Sequence, residues 1–327
     1  MNTFIFTCGD INGVGPELVI KTLNRVVKNS QSKFLFICPG NVFISEVRKH
    51  KPNFKYDIVK SLDYSSDFPV SILNFGDYKR EPGVPTKTSG QASYKALEIA
   101  FDIPVKSIQK AIITSPISKT ALGYAKIIYP GHTEMFADWY KVKNYAMMFL
   151  SKSMRAALLT IHQPIKKVPS LLTKDLLTNK FNLVLKSLKK DFRVKSPKIA
   201  VLGLNPHAGE DGLIGEEEKN IIIPFINQYS ERRRFFGPYS PDAFFGMKKY
   251  SEFDMVIGMY HDQILNPFKL LNFNRGVNYT AGLPIVRTSP DHGTAFDIAG
   301  KGLADESSMV EAFKYAEMIL ENRISGG

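Results

Sequence analysis

The chain has 327 residues, is 44% hydrophobic and 23% charged, and carries a formal net charge of +12. This length and composition exclude a disordered or fibrous protein and predict a globular chain with two domains or subdomains. The longest apolar runs are far too short for a membrane span, we see no signal peptide, and the two cysteines form no disulfide framework or zinc ribbon, so we expect a cytoplasmic protein.

The positive charge is open to two interpretations. Clustered Lys and Arg would suit a nucleic-acid partner, because they neutralise phosphates. The basic residues, however, lie in scattered runs without interleaved stacking aromatics. We therefore predict a solvated basic surface and no nucleic-acid or membrane partner. The remaining charge would concentrate an anionic small substrate.

Strand-like runs alternate with helical periodicities along the chain. FIFTC predicts a first strand, and Pro16 suits the first turn of the helix that follows it. Next come a strand from residue 110, two strands about a short turn over 146–160, and an amphipathic helix over 173–192. Further strands begin at residues 198 and 254 with a helix between them, and a last helix follows residue 305. The pattern indicates an α/β protein with a largely parallel, covered sheet and a mixed region allowed around the hairpin.

Three of the predicted strands are each followed by a histidine. His162 follows RAALLTI, His207 follows KIAVLGLNP and His261 follows DMVIGMY. The carboxyl ends of strands form the edge of an open α/β sheet where ligands bind. Three imidazoles that converge from three strand ends predict a catalytic divalent-metal site with open positions. The residues alone leave open the alternative that each histidine is a hydrogen-bonded loop residue.

Three other segments carry candidate functional groups. In YPGHTE, backbone N–H groups, His132 and Thr133 would bind an anion such as phosphate at a helix start, or Thr133 is only the N-cap. The GxG of GDINGVGPE lacks the third glycine of a dinucleotide fingerprint and predicts a tight strand-to-helix turn. Asp242 in GPYSPDAFF is a proton acceptor, a carboxylate that supports a metal ligand, or a turn residue.

Seven segments in order resemble the signature blocks of the 4-hydroxythreonine-4-phosphate dehydrogenase family (pyridoxal phosphate biosynthesis protein PdxA family). They are GDINGVGPE, TSPISKTAL, YPGHTE, LGLNPHAGEDGLIGEEE, GPYSPDAFF, MYHDQ and GLPIVRTSPDHGTAFDIAGKGLAD. The last block also resembles the nucleotide-binding loop of isocitrate and isopropylmalate dehydrogenases, which belong to the same broader fold group. One departure is that Ile11 and Asn12 replace the family's usual Pro after Gly-Asp, which removes no chemical group.

The resemblance implies an α/β fold like that of isocitrate and isopropylmalate dehydrogenases, with two α/β/α subdomains around a cleft. The first subdomain would be discontinuous, residues 1–125 plus 280–327, and would carry the NAD-binding loop. The second, residues 126–279, would carry the metal ligands and the dimer interface. A homodimer with a metal site built from both subunits is implied, which allows His162 to come from a different chain than His207 and His261.

The resemblance also implies roles for individual residues. The ligands of a divalent metal (Zn, Mg or Co) would be His162, His207 and His261. The substrate contacts would be His132, Thr133, Lys269, Asn278 and Arg287. NAD or NADP would be bound by His292, Gly293, Thr294 and Asp297. Asp242 or Lys269 would relay the proton.

The implied reaction is the NAD-dependent oxidation of 4-phosphohydroxy-L-threonine at its secondary alcohol, followed by decarboxylation to 3-amino-2-oxopropyl phosphate in pyridoxal 5'-phosphate (vitamin B6) biosynthesis. One alternative is the same apparatus acting on 4-phospho-threonate or 4-phospho-erythronate in sugar-acid catabolism, because a few hydrogen bonds in the pocket decide between such substrates. Another is a non-enzymatic basic binding protein, in which the strand-end histidines have no role.

Overall fold

The computed structural model describes residues 2–61, 66–104 and 109–326. The chain forms two compact units, which we call unit 1 (Met1–Lys141 with Leu283–Ile324) and unit 2 (Val142–Gly282 with Ser325–Gly327). The predicted boundaries lie near residues 125 and 279, whereas the units divide after Lys141 and Gly282. His132 and Thr133 therefore belong to unit 1, together with Arg287.

The strands are listed here in chain order: β1 (Thr3–Thr7), β2 (Lys33–Ile37), β3 (Tyr56–Val59), β4 (Val70–Leu73), β5 (Lys110–Thr114), β6 (Ala146–Leu150), β7 (Arg155–Leu158), β8 (Ile199–Leu202), β9 (Phe235–Tyr239), β10 (Met255–Gly258), β11 (Val277–Ala281) and β12 (Val286–Pro290).

The α-helices are α1 (Gly15–Val26), α2 (Gly40–His50), α3 (Lys87–Asp102), α4 (Lys119–Tyr124), α5 (His132–Trp139), α6 (Val168–Leu171), α7 (Lys174–Lys190), α8 (Ile223–Gln228), α9 (Pro241–Gly246), α10 (His261–Asn272) and α11 (Ser307–Ile324). Short 3-10 turns occupy Val27–Asn29, Ile165–Lys167, Pro206–Gly212, Arg232–Arg234 and Lys249–Glu252. None of the helices in the described ranges has both the length and the apolarity to cross a bilayer.

Unit 1 contains a parallel sheet with the strand order β3-β4-β2-β1-β5-β12. β1 lies inside the sheet, and its residues Phe4, Ile5 and Phe6 are fully buried. Continuous burial along a strand indicates a sheet covered on both faces, as parallel sheets require. Phe313 of α11 packs edge-on against Phe4, with ring centroids 4.8 Å apart. The predicted covered parallel sheet is thus confirmed.

Unit 2 contains a mixed sheet with the strand order β11-β6-β7-β10-β8-β9. β6 pairs antiparallel with both β11 and β7, which confirms the two strands predicted about a short turn. β7, β10, β8 and β9 run parallel. Because parallel strands end at the same edge, the segments after β7, β10 and β8 leave the sheet on one side.

The amphipathic helix predicted over 173–192 is α7. Thr173 is the N-cap residue of α7, and its Oγ1 accepts a hydrogen bond from the backbone N–H of Leu176 at 3.2 Å. Phe181, on the buried stripe of α7, stacks on Phe235 of β9 with ring centroids 4.3 Å apart. The rest of the predicted stripe is also buried: Leu177, Val184, Leu185 and Leu188.

The helix predicted between β8 and β10 is interrupted. Glu218–Ile222 form a π turn, and only the residues of α8 continue as an α-helix. Pro224 accounts for the break, because proline has no N–H to donate and its ring clashes with the carbonyl one turn earlier. π turns of this kind occur frequently at functional sites.

Phe181→Ala should lower the free energy of unfolding by about 3–5 kcal/mol, because it removes a buried ring and leaves a cavity. Urea unfolding followed by far-UV circular dichroism measures the loss. Ile223→Ala, at a position that is 41% exposed, is the control and should change the free energy by less than about 0.5 kcal/mol. Equal losses in the two variants would contradict the packing role of Phe181.

Candidate functional site

Two of the three predicted metal ligands lie side by side in unit 2. β7 and β10 are neighbours with Leu158 opposite Gly258, so the residues that follow them leave the same sheet edge. The ring centroids of His162 and His261 are 5.8 Å apart, and the ring planes differ by 37°. His261 Nδ1 lies 2.6 Å from Asp262 Oδ1. When Nδ1 carries the proton, Nε2 keeps its lone pair for a metal.

The third predicted ligand, His207, lies in a strained loop after β8. All residues from His207 to Asp211 have a positive φ, between 44° and 84°. Apart from Gly209 they all carry a Cβ, for which the left-handed region is unfavourable by about 1–2 kcal/mol per residue. His162 also has a positive φ, of 49°. Such strain persists only where the surroundings hold it, and it clusters at functional sites.

Glu218 holds the start of this loop. Its side chain is 1% exposed. Its Oε1 accepts hydrogen bonds from the backbone N–H of Leu204 at 2.6 Å and of Asn205 at 2.8 Å, and its Oε2 accepts one from Asn205 Nδ2 at 2.8 Å. Sequence reasoning missed this role, because the EEE run at 216–218 does not indicate which glutamate is buried.

Asp242, in the first turn of α9, is an exposed carboxylate that accepts a hydrogen bond from Ser240 Oγ. This bond is the main reason why the pKa of Asp242 is lowered. The backbone N–H of Ala243 and the charge of His207 lower the pKa further. Asp242 is therefore ionised at neutral pH, and an ionised carboxylate in this position is able to accept a proton.

The single chain does not gather the three histidines. Among the described residues, the one set of three or more potential ligands whose atoms all lie within 4.8 Å is Glu17, Glu46 and His50. His162 is next to His261, whereas the charge of His207 acts on Asp242. The expected arrangement joined His207 to His261 and allowed His162 to come from another chain. His207 is itself the first residue of the left-handed segment that continues to Asp211.

Glu17, Glu46 and His50 form a buried ionic network in unit 1. His50 Nε2 lies 3.2 Å from Glu46 Oε2 and 3.9 Å from Glu17 Oε2. Two cations already balance the carboxylates, because Lys21 Nζ lies 2.7 Å from Glu17 and Arg80 pairs with Glu46. A divalent cation would add charge to a balanced set, so we interpret it as an ionic network. Its signal in the sequence is the four-residue spacing of Glu46 and His50 on one helix, which places them on one face.

The ionic network also holds part of the loop between β12 and α11. Glu17 Oε1 accepts a hydrogen bond from the backbone N–H of Ala304 at 3.0 Å, and Lys21 Nζ donates to the carbonyl of Ala304 at 2.8 Å. All four predicted cofactor residues lie earlier in this loop: His292, Gly293, Thr294 and Asp297.

The GxG turn shapes the same loop. The carbonyl of Thr294 accepts a hydrogen bond from the backbone N–H of Val14 at 3.0 Å. A Cβ on Gly13 would lie 2.8 Å from that carbonyl oxygen, so only glycine permits the close approach. The tight turn predicted for GDINGVGPE, which follows β1, therefore contacts and supports the predicted cofactor segment at Thr294.

Arg287 is a buried cation of unit 1. It is 1% exposed, and its Nε and Nη2 donate to Thr114 Oγ1 at 3.1 and 2.6 Å. Burial lowers the pKa of Arg287 to about 9, and the charge of Glu134 opposes that shift. Arg287 is thus protonated at neutral pH, and a buried guanidinium binds phosphate or carboxylate strongly.

His132 begins α5 within the electrostatic reach of Arg287. Burial lowers the pKa of His132 well below its usual range, and the charge of Arg287 lowers it further. Its Nε2 is buried and has no hydrogen-bond partner among the described residues, as expected of a group that meets a ligand. Thr133 is 2% exposed, and the N-cap of α5 is Gly131, so the alternative that Thr133 is the N-cap is wrong.

The remaining predicted substrate contacts lie in unit 2. Lys269 is on α10, about two turns after His261. Asn278 is on β11 opposite Phe149, and its Oδ1 is buried without a hydrogen-bond partner in the described part of the chain. Unit 2 thus contains the three histidines, Asp242 and two of the substrate candidates.

Comparisons with known proteins agree over the whole chain. The family model described as "Pyridoxal phosphate biosynthetic protein PdxA" matches residues 19–316. A 4-hydroxythreonine-4-phosphate dehydrogenase of Prosthecochloris aestuarii (strain DSM 271 / SK 413) is 37% identical, over 99% of this chain and 99% of its own length. The crystal structure of a 4-hydroxythreonine-4-phosphate dehydrogenase from Klebsiella pneumoniae aligns with a TM-score of 0.81 at 30% identity, over 98% of this chain and 100% of that chain.

A more distant likeness concerns the fold alone. An isocitrate dehydrogenase from Methylococcus capsulatus aligns with a TM-score of 0.50 at 12% identity, over 99% of this chain and 87% of that chain. This confirms the predicted α/β fold of the isocitrate dehydrogenase type. Because the family match extends over nearly all of the chain, the chain belongs to the PdxA family of pyridoxal phosphate biosynthetic proteins.

Proposed function

We propose that this chain is an NAD- and divalent-metal-dependent dehydrogenase that oxidises 4-phosphohydroxy-L-threonine and releases carbon dioxide to give 3-amino-2-oxopropyl phosphate. The observation that carries the proposal is the buried, protonated Arg287 with a neutral His132 whose Nε2 is buried and unpartnered, a combination suited to a phosphorylated substrate. The relatives named for 4-hydroxythreonine 4-phosphate favour this substrate over 4-phospho-threonate and 4-phospho-erythronate.

The residues of unit 1 would bind and orient the substrate. Arg287 would hold its phosphate or carboxylate through two N–H groups, and His132 Nε2 would hydrogen-bond a substrate oxygen. Thr133 adds a buried hydroxyl at the start of α5, where backbone N–H groups favour an anion. The loop with His292, Gly293, Thr294 and Asp297 would hold NAD or NADP.

The residues of unit 2 would supply the metal ligands and the proton acceptor. His162, His207 and His261 offer imidazole nitrogens, which suit Zn or Co better than Mg. When bound, NAD would accept the hydride and the cation would act as a Lewis acid toward the substrate oxygen. Asp242, ionised at neutral pH, or Lys269 would take the hydroxyl proton.

A homodimer would complete the metal centre. The nitrogens of the three histidines are not gathered within one chain, so we infer that a second copy supplies His207 to the pair His162 and His261. Large exposed apolar side chains lie in, or directly after, the elements that carry the candidate residues, and such side chains mark interaction surfaces. These are Leu213 (86% exposed), Met247 (69%), Leu270 (88%) and Phe273 (73%).

The first experiment mixes the purified chain with 4-phosphohydroxy-L-threonine and NAD and follows NADH absorbance and carbon dioxide. We expect both products, and we expect a chelator to stop both until metal is restored. His207→Ala should lower kcat/KM by more than about 100-fold, because it removes a metal ligand. NADH formation that survives the chelator and this substitution would contradict the metal role. Turnover of 4-phospho-threonate alone would assign the chain to sugar-acid catabolism instead.

Mixed dimers test which copy supplies which ligand. If His207 of one copy joins His162 and His261 of the other, a dimer of one His207→Ala chain and one His261→Ala chain retains one intact site. It should then have about half of the wild-type turnover, since a symmetric dimer has two equivalent sites. Two affinity tags isolate the mixed dimers for the NADH assay.

The matched control is a dimer of one His162→Ala chain and one His261→Ala chain. It contains no intact site under the arrangement inferred here and should remain inactive. Activity in the control pair, together with inactivity of the first pair, would identify His162 as the shared ligand.

The neutral state of His132 makes stability depend on pH. Its pKa in the folded chain is well below the ordinary value of 6.5, so in acid the unfolded chain takes up a proton that the folded chain does not bind. The free energy of unfolding should therefore fall as the pH drops below about 6.5, by at most about 1.4 kcal/mol per pH unit. The variant His132→Gln has no imidazole, so its unfolded chain does not take up this proton. Urea unfolding at pH 7 and pH 5 should show that the wild type loses more stability than the variant, and an equal loss would contradict a neutral, buried His132.

A further inference from the structure

One side chain joins the ends of two strands that carry candidate metal ligands in unit 2. Gln263 lies in the first turn of α10 and is 8% exposed. Its Oε1 accepts a hydrogen bond from the backbone N–H of Met259 at 2.6 Å, and its Nε2 donates to the carbonyl of Gly203 at 2.7 Å. Met259 directly follows β10, and Gly203 directly follows β8. The amide therefore bridges the two strand ends.

The bridge continues on both sides through hydrogen bonds. On one side, Thr160 Oγ1 after β7 donates to the carbonyl of Met259 at 2.6 Å. On the other, the backbone N–H of Gly203 donates to the carbonyl of Tyr239 in β9 at 2.8 Å. The linked residues Thr160, Met259, Gly203 and Tyr239 precede His162, His261, His207 and Asp242, respectively, by two to four positions. Gln263 is the side chain in the middle of this row.

The bond to Gly203 is not needed by the helix that carries Gln263. A glutamine in the first turn of a helix commonly reaches back to a backbone N–H before the helix, and the Oε1 bond to Met259 is of that kind. The Nε2 bond leaves α10 and reaches another strand. The bridge needs an acceptor toward Met259 and a donor toward Gly203, and among side chains of this length glutamine offers both without taking up a proton.

The first turn of α10 packs closely against the end of β10. A Cβ on Gly258 would lie 2.3 Å from Ile264 Cγ1 and 3.1 Å from Gln263 Oε1. The glycine at the end of β10 thus lets the first turn of α10 pack directly against the strand. This packing limits the positions that the Gln263 amide can take.

We propose that Gln263 is a positioning residue. It sets the spacing between the ends of β8 and β10, which precede His207 and His261, and so sets the affinity for the metal. The inference rests on the proposed function, because it assumes that these histidines bind the metal. In the dimer inferred above, His207 and His261 of one chain serve two different sites. The bridge then holds each strand end in place within its own chain, so that its loss displaces one ligand of each site.

The test is Gln263→Glu, which keeps the acceptor for Met259, removes the donor for Gly203 and places a negative oxygen against that carbonyl. Gln263→Met, uncharged and of similar length, is the second variant. Gln228→Glu is the matched control, because Gln228 is exposed at the end of α8 in the same unit. The probe is Co(II), which reports affinity by competition with a chelator and ligand geometry by its visible absorption.

We expect Gln263→Glu and Gln263→Met to bind Co(II) about 10–100-fold more weakly than the wild type, the range typical of residues that orient metal ligands. Their visible band should shift, while Gln228→Glu matches the wild type. An unchanged affinity and band in both Gln263 variants would overturn the positioning role. A wild-type chain without any Co(II) band would overturn the proposed metal centre itself, and the positioning role with it.

Discussion

The parallel pairing of β7, β10 and β8 is the constraint on which the candidate metal centre depends. Parallel strands in register end together, so the short segments after them leave one edge of the sheet. His162 and His261 are adjacent because their strands are adjacent. Strand ends are rigid, so they hold metal ligands in position before the metal binds, as a metal site requires. The hydrogen bonds of Gln263 and Glu218 add to this rigidity where the backbone leaves the regular sheet.

Unit 1 holds a protonated guanidinium, that of Arg287, in a buried position. Burying a guanidinium is unfavourable unless polar and charged groups replace the lost water, and Thr114 and Glu134 both interact with Arg287. An anionic ligand would add a further opposite charge beside Arg287. Substrate binding and the stability of unit 1 are therefore linked, because a ligand that binds only the folded state stabilises it.

The regular elements were accessible from the sequence because local patterns determine them. The stripe of α7, the antiparallel pair β6 and β7, and the histidines after β7, β8 and β10 all follow from periodicity and order along the chain. Family resemblance added the roles of Arg287 and Lys269, which no local pattern indicates. The spacing of Glu46 and His50 on α2 is visible in the sequence, but the contact of this pair with Glu17 was not accessible, because Glu17 lies on a separate helix.

Other features of the site depend on tertiary contacts. Which glutamate of the EEE run is buried follows from the loop it meets, and Glu218 meets Leu204 and Asn205. The break before α8 had a visible cause in Pro224, although a proline alone does not distinguish a kink from a π turn. The left-handed course of the segment from His207 to Asp211 depends on backbone angles that side-chain identity does not reveal, since Ala208 and Glu210 are not residues that favour a positive φ.

The left-handed loop from His207 to Asp211 has a consequence for engineering. Glycine at Ala208 or Glu210 would relieve backbone strain and raise thermal stability, because glycine adopts a positive φ without a steric penalty. The same change would widen the range of directions in which the His207 imidazole points. Heat resistance and ligand geometry are therefore opposed at this loop, so a selection for thermostability alone would favour substitutions that weaken the centre.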